Sequence, residues 1–174
     1  KYVYPPFFIQ QLGLFSIHDN IAEYSKLALA QLEKDFKFTE LNLNWQSNTG
    51  EAKTNTVLSL ASSYEDMFDA FSTNHKRNIK KAQKSNFNYK SNISVASIIS
   101  NFRNDKGAEI SVLKNEDYQN FTKLCSVAAD KQVLITRGII ENDVLITGAV
   151  LMKFGKRLIF LFSGNSNEGK TSGG

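Results

Sequence analysis

The alternation of apolar and polar positions is clearest in the last third of the chain. VLITRGIIE, VLITGAVLMKF and RLIFLFSGN are strand-like runs rich in leucine, β-branched and aromatic residues. Asn142-Asp143 separates the first two and Gly155-Lys156 the last two, and such pairs close tight hairpins. The pattern predicts an antiparallel three-strand meander.

Helical spacing dominates upstream. Asn20 with Glu23 is a helix-start pair, and Ile21, Tyr24, Ala28, Leu32 and Phe36 follow at helical intervals, which predicts a helix to about Asp35. Ser62 with Glu65 is a second such pair, with Asp66 also in the first turn. Tyr64, Met67, Phe68 and Phe71 then form an apolar stripe that Ile79 and Ala82 continue, so one helix is expected from there through the segment around residue 80. A further helix is expected from Asn115, opened by Glu116 and Asp117, with Tyr118, Phe121, Leu124, Cys125 and Ala128 on one face. Cys125 is therefore expected in the core.

Between these lie weaker patterns. Tyr2 to Phe15 reads as an edge or terminating strand, because Pro5 and Pro6 cannot donate to a ladder. Phe38 to Trp45 reads as a half-buried strand, and Thr56 to Leu60 and Asn92 to Ile99 as short strands. Residues 46–55 are polar and turn-rich, a domain link, and residues 101–107 read as a loop. The expected class is α/β with a mixed sheet, divided into residues 1–55 and 56–174.

Composition narrows the class of protein without naming a function. With 41% hydrophobic and 22% charged residues the chain has ordinary globular content rather than the signature of disorder. No apolar run approaches the roughly 18 residues that a membrane helix needs, and the single cysteine cannot close an intrachain disulfide. The expectation is a cytoplasmic protein. The start at Lys1 and the end in GKTSGG are read as the cut ends of a longer protein.

Charge is concentrated in one place. Phe71 to Phe87 holds five of the 21 Lys and Arg residues and no acidic one, and without Lys76, Arg77, Lys80, Lys81 and Lys84 the chain would have 16 basic against 17 acidic residues. Arg77, Lys80, Lys81 and Lys84 are three and four apart, so a helix gathers them on one side, where they suit phosphates or an RNA backbone. The plainer reading is a solvated face whose cations complement the helix C-terminus. No aromatic residue alternates with the basic ones, and Phe87 and Tyr89 lie just outside the run, so a base-stacking platform is not indicated.

Other chemistry is sparse. Gly164 to Thr171, GNSNEGKT, matches the phosphate-loop spacing GxxxxGK[ST], and a P-loop nucleotide-binding protein is one reading. Such loops follow a strand of a parallel βαβ unit, whereas the strand here belongs to the meander. His18 and His75 are isolated and no ligand spacing for a metal appears. Glu33, Asp35, Glu40 and Glu141 are all chemically able to act as general bases, and nothing in the sequence chooses among them.

Two helices, a meander and a glycine-containing turn follow the order of the first half of an acetyltransferase of the GNAT superfamily. Leu60 to Phe87 resembles the FemAB-like branch, in which a helix ends in Arg-Asn-Ile-x-x-Ala-x-Lys, here Arg77, Asn78, Ile79, Ala82 and Lys84. GAVLMKFGKRLIFLFSGNSNEGKTSGG resembles the later strands and the loop leading to the cofactor helix, although it matches Gln/Arg-x-x-Gly-x-Gly/Ala only loosely. The resemblance implies tandem GNAT-like units, with residues 1–55 closing the first and residues 56–174 opening the second.

It also implies a bacterial transferase that moves an acyl or aminoacyl group to an amine. The donor would be acetyl-CoA, another acyl-CoA or aminoacyl-tRNA. Phe162, Ser163, Gly164, Gly169, Lys170, Gly173 and Gly174 would hold the cofactor, with backbone amides near the end of Phe160 to Ser163 polarising the acyl carbonyl. Lys76, Arg77, Lys80, Lys81 and Lys84 would meet tRNA or a phosphate-bearing cell-wall precursor. The resemblance implies no catalytic residue by position, and a piece of this kind is expected to be inactive alone. The rival from a different class is a non-catalytic nucleic-acid-binding module using the same basic helix.

Overall fold

Lys1–Thr56 and Val57–Gly174 are separate units in the computed structural model, which describes residues 1–172 apart from residues 18, 45, 48, 49 and 86. In the first unit, strand β1 (Tyr2–Val3) leads through helix α1 (Ile21–Asp35) to β2 (Phe38–Thr39), and the strands pair in parallel, Tyr2 with Phe38 and Val3 with Thr39. A parallel bridge between Leu12 and Leu43 continues the alignment. The two long strands expected here are thus reduced to two-residue pieces. Pro5 and Pro6 interrupt the first, and Trp45, at the end of the second, lies outside the described residues.

The buried Asn44 adds side-chain bonding to its backbone bond with the Leu12 carbonyl: its Nδ2 donates to the Leu14 carbonyl at 2.6 Å and its Oδ1 accepts from the Gln46 N–H at 3.0 Å. Helix α1 begins as expected, but without a side-chain cap from Asn20. It buries Ile21 and Ser25 and leaves Tyr24 exposed.

The second unit opens without the expected strand at Thr56 to Leu60. Val57 and Leu58 are 83% and 62% exposed, and no ladder forms there among the described residues. The one long helix expected next is two, α2 (Tyr64–Ala70) and α3 (Thr73–Lys84). Ser63, not Ser62, caps α2 by accepting from the Asp66 N–H at 3.1 Å, and Ser72 starts α3 anew by accepting from the His75 N–H at 3.3 Å. Phe71 is extended at the break but keeps the apolar stripe continuous through ring contacts with Phe68 and His75.

After β3 (Asn88–Ser91) come α4 (Val95–Asn104), α5 (Lys106–Glu109) and α6 (Asn115–Asp130). The expected strand over Asn92 to Ile99 and the expected loop over residues 101–107 are therefore helical for most of their length. Val95, Ile98, Ile99 and Phe102 repeat at i, i+3, i+4 and i+7, and burying that stripe outweighs the strand preference of its β-branched residues.

The meander forms as β4 (Leu134–Glu141), β5 (Val144–Phe154) and β6 (Arg157–Asn165), followed by the short helix α7 (Asn167–Ser172). With β3 it makes a four-stranded sheet in the order β3-β4-β5-β6, antiparallel throughout. Asn142 and Asp143, at φ 49° and 62°, make the tight β4–β5 turn that such a pair permits.

Three glycines stand in one row across this sheet, Gly138 opposite Gly148 opposite Gly164. The bare backbone of Gly148 and Gly164 lets α4 settle onto the sheet: a Cβ on Gly148 would stand 2.6 Å from the Ile98 side chain, and one on Gly164 2.1 Å from the Ile98 carbonyl oxygen, while one on Gly138 would meet Ile93 at 2.8 Å. Ile98 and Val150 are fully buried there, and the Phe162 ring meets Phe102 of α4 at 4.7 Å and Phe121 of α6 at 5.2 Å. Tyr118, Cys125 and Ala128 complete the core on α6.

Candidate functional site

Strand β6 ends the described sheet order, so one of its sides has no ladder partner among the described residues. The Ser166 N–H donates to the Ile146 carbonyl at 2.8 Å. The alternation of an antiparallel ladder then pairs Gly164 with Gly148 and Phe162 with Val150, and turns the N–H and C=O of Ser163 and Asn165 outward. Val150 faces Phe162 while Leu151 faces Phe160, so Leu161 is the extra residue of a β-bulge just before that outward pair.

The residues singled out in the sequence do not converge on one surface. Phe162 and Gly164 face the core, and Ser163 lies half-buried on the opposite face. Gly169 is inside α7, where a Cβ would stand 2.6 Å from the Ile146 carbonyl oxygen. The Lys170 ammonium is bonded to Asp105. Gly173 and Gly174 lie outside the described residues.

The segment Gly164 to Thr171 is strand, cap and helix with no loop between. Only Ser166 joins β6 to α7, and its Oγ accepts from the Gly169 N–H at 3.1 Å. A phosphate loop needs its intervening residues free to wrap the anion and its lysine free to reach it. Neither condition is met here. The start of α7 also carries an anion of its own, because the Glu168 backbone N–H and the Ser166 hydroxyl hold the Glu168 carboxyl below its ordinary range.

The basic residues do share a face. At roughly 100° per residue, Arg77, Lys80, Lys81 and Lys84 fall on one side of α3, opposite Ile79 and Ala82, and all four are exposed. Arg77 bonds Asn74 Oδ1 at 2.7 Å, and among the described residues no acidic side chain pairs with Arg77, Lys80 or Lys84. Lys76 is placed differently: its Nζ donates to the Asp69 carbonyl at 2.8 Å, approaches the Asp69 carboxylate at 3.8 Å and lies 5.7 Å from the Phe68 ring centroid. It joins α3 to α2.

The opposite face of α3 borders an apolar groove of about 500 Å3 with Ile79, Ala82, Phe87, Tyr89 and Ile139 in its walls. His75 and Asn78 supply polar groups at the same groove. The helical pattern of Ile79 and Ala82 could have pointed to this groove. The strand residues that complete it follow only from the register Tyr89 opposite Ile139.

Cys125 is buried in α6, and burial pushes its thiol up to about 11. A thiol so held is a packing group rather than a nucleophile at neutral pH. Among the described residues no cluster of three or more His, Cys, Asp or Glu side chains is arranged to hold a metal ion, and no helix is long and apolar enough to cross a membrane. No protein-family model matches the chain, and no curated protein matches it.

Proposed function

We propose that the chain is part of a bacterial, cytoplasmic acyltransferase of the FemAB-like GNAT type, which moves an acyl or aminoacyl group onto an amine. The observation that carries this reading is the outward N–H of Ser163, beside the bulge at Leu161 on the free side of β6. Such a donor is suited to an acyl carbonyl. As the amine attacks, the carbonyl oxygen gains negative charge, and a fixed N–H stabilises that charge more than it stabilises the ground state. The nitrogen–carbon bond forms, the thioester or aminoacyl ester bond breaks, and the amine's proton ends on the departing thiolate or ribose oxygen.

The order of elements in the second unit supports the same reading. Helix α6 runs into the meander, and α7 follows it after a single linking residue. Helix, meander and a helix directly after it are part of the succession expected of such an enzyme, although α2, α3, α4 and α5 stand where one further helix is expected. Acyl-CoA is the first donor to test and aminoacyl-tRNA the second. The exposed cations of α3 suit either tRNA or a phosphate-bearing cell-wall precursor as the partner.

The test is acyl transfer by the full-length protein with Ser163→Pro, since proline is tolerated where an edge strand's N–H faces outward. Loss of one such donor is expected to lower kcat by about 100-fold with the thermal midpoint little changed. Undiminished turnover, or no binding of acyl-CoA or of charged tRNA by the unaltered protein, would count against the proposal.

A second reading has its own observation, the exposed row Arg77, Lys80, Lys81 and Lys84. It makes the chain a non-catalytic module bound to a nucleic-acid backbone. Binding would then weaken steeply with salt and persist in Ser163→Pro.

A further inference from the structure

We propose that the sheet face opposite α4 carries a binding site for an organic anion, a carboxylate or phosphate head on an apolar body, with the head over Ala149. The site rests on strand register and does not depend on acyl transfer.

Two adjacent rows of the sheet define it. Ser91, Arg137, Ala149 and Ser163 are in register across four strands, and Tyr89, Ile139, Thr147 and Asn165 form the next row. Side chains of both rows point to the face away from α4, because the row between them is the glycine row, which α4 covers at Gly148 and Gly164. Ala149 is the small residue at the centre. Arg137 and Ser163 flank it on neighbouring strands, about 4.8 Å away in the pairing direction, and Thr147 stands beside it on its own strand. The short side chain of Ala149 leaves a dish walled by a guanidinium, two hydroxyls and the Asn165 amide.

The donors of this dish are poised for an anion. Thr147 Oγ1 bonds Asn165 Oδ1, so the hydroxyl donates and the amide Nδ2 of Asn165 keeps its hydrogens for another acceptor. Arg137 uses Nη1 on the neighbouring Thr136 carbonyl at 2.9 Å, and the fork retains further N–H donors. Arg137, Ala149, Thr147, Ser163 and Asn165 are all half-buried, which strengthens a charge-assisted bond relative to open water. Arg137 pairs with no acidic side chain among the described residues. The acid on this face of β4 is Glu141, four residues along the strand at the hairpin end.

The apolar body has a place beside the head. Ile139, diagonal to Ala149, is also a wall of the groove against α3, so the groove begins beside the dish. A ligand with an anionic end and a short aliphatic or aromatic tail matches both parts, whereas a bare inorganic ion would use only the dish.

Octanoate and octyl phosphate are the probes, with octan-1-ol as the uncharged control, titrated into the 15N-labelled full chain and followed by amide shifts. Expected is saturable movement of the amides of Arg137, Thr147, Ala149, Ser163 and Asn165 with at least one anion, which also distinguishes the two head groups. Arg137→Gln should weaken that binding at least 10-fold, and Ala149→Leu should abolish it with the spectrum otherwise native. Octan-1-ol should leave the dish amides unmoved. The proposal is overturned if neither anion shifts these amides, if octan-1-ol shifts them equally, or if both variants bind as well as the unaltered chain.

Discussion

The Lys170 ammonium bonds the Asp105 carboxylate across 65 residues of chain, tying α7 to the junction of α4 and α5. The Asp105 side chain is only 13% exposed, and the Lys170 hydrogen bond is the main cause of its lowered pKa. The pairing therefore contributes stability that is present above the unfolded value of 3.8 and is lost as pH falls through the folded pKa. Lys170→Met is expected to speed hydrogen exchange in α7 at neutral pH and to remove its acid dependence there. It should leave ATP binding unchanged, since this lysine serves packing and not a phosphate. Nucleotide affinity lost on that substitution would restore the phosphate-loop reading.

Gly164 is the tightest point of the contact between α4 and the sheet. Its Cβ would meet the Ile98 carbonyl oxygen at 2.1 Å and the Phe102 nitrogen at 2.8 Å, both backbone atoms that cannot rotate away. Gly164→Ala is expected to destabilise by about 3 kcal/mol, the upper end for overpacking. Ser163→Ala, one residue away on the other face, should stay within about 0.5 kcal/mol. Urea midpoints of the two variants decide it, and equal midpoints would mean that α4 does not sit on the glycine row.

The thiol of Cys125 offers a test of the α6 core. Burial raises its pKa from 9.0 to about 11, so the folded state keeps its proton where the unfolded state loses it. Its contribution is complete below pH 9 and declines as pH rises toward 11. A thiol-specific reagent at pH 8 should label the native chain far more slowly than the urea-unfolded one. Cys125→Ala should flatten the fall in urea midpoint between those two pKa values. Rapid native labelling would place the thiol outside the core.

Local pattern made some elements legible, and register hid others. The meander could be read because its apolar runs end at Asn142-Asp143 and Gly155-Lys156, which fix turns without help from the rest of the chain. Helix α4 was obscured because Val95, Ile98 and Ile99 favour strands as single residues, although their spacing is helical. The break before α3 was hidden because Phe71 kept the apolar stripe continuous while Ser72 capped a new helix. Gly164 and Gly169 stood out in the sequence, but both serve close packing against Ile98 and Ile146. The alignment of Arg137 with Ala149 and Ser163 joins three strands, and no local pattern contains it.

The basic residues of α3 divide into exposed cations and one that joins two helices. Arg77, Lys80 and Lys84 are exposed and unpaired with acids among the described residues, whereas Lys76 is bonded to Asp69 and lies over Phe68. If the face meets a phosphate backbone, each exposed cation contributes released counterions, and its removal lowers the salt slope by about 1. Glutamate at Lys80 and Lys84 together is expected to weaken tRNA binding more than 10-fold at low salt while leaving the helix content unchanged. Lys76→Met, by contrast, should lower the urea midpoint and change tRNA affinity little, because its ammonium already holds α2 against α3. Filter binding across a salt series distinguishes the two. Affinity that is insensitive to the double reversal would make the charge a solvated helix face.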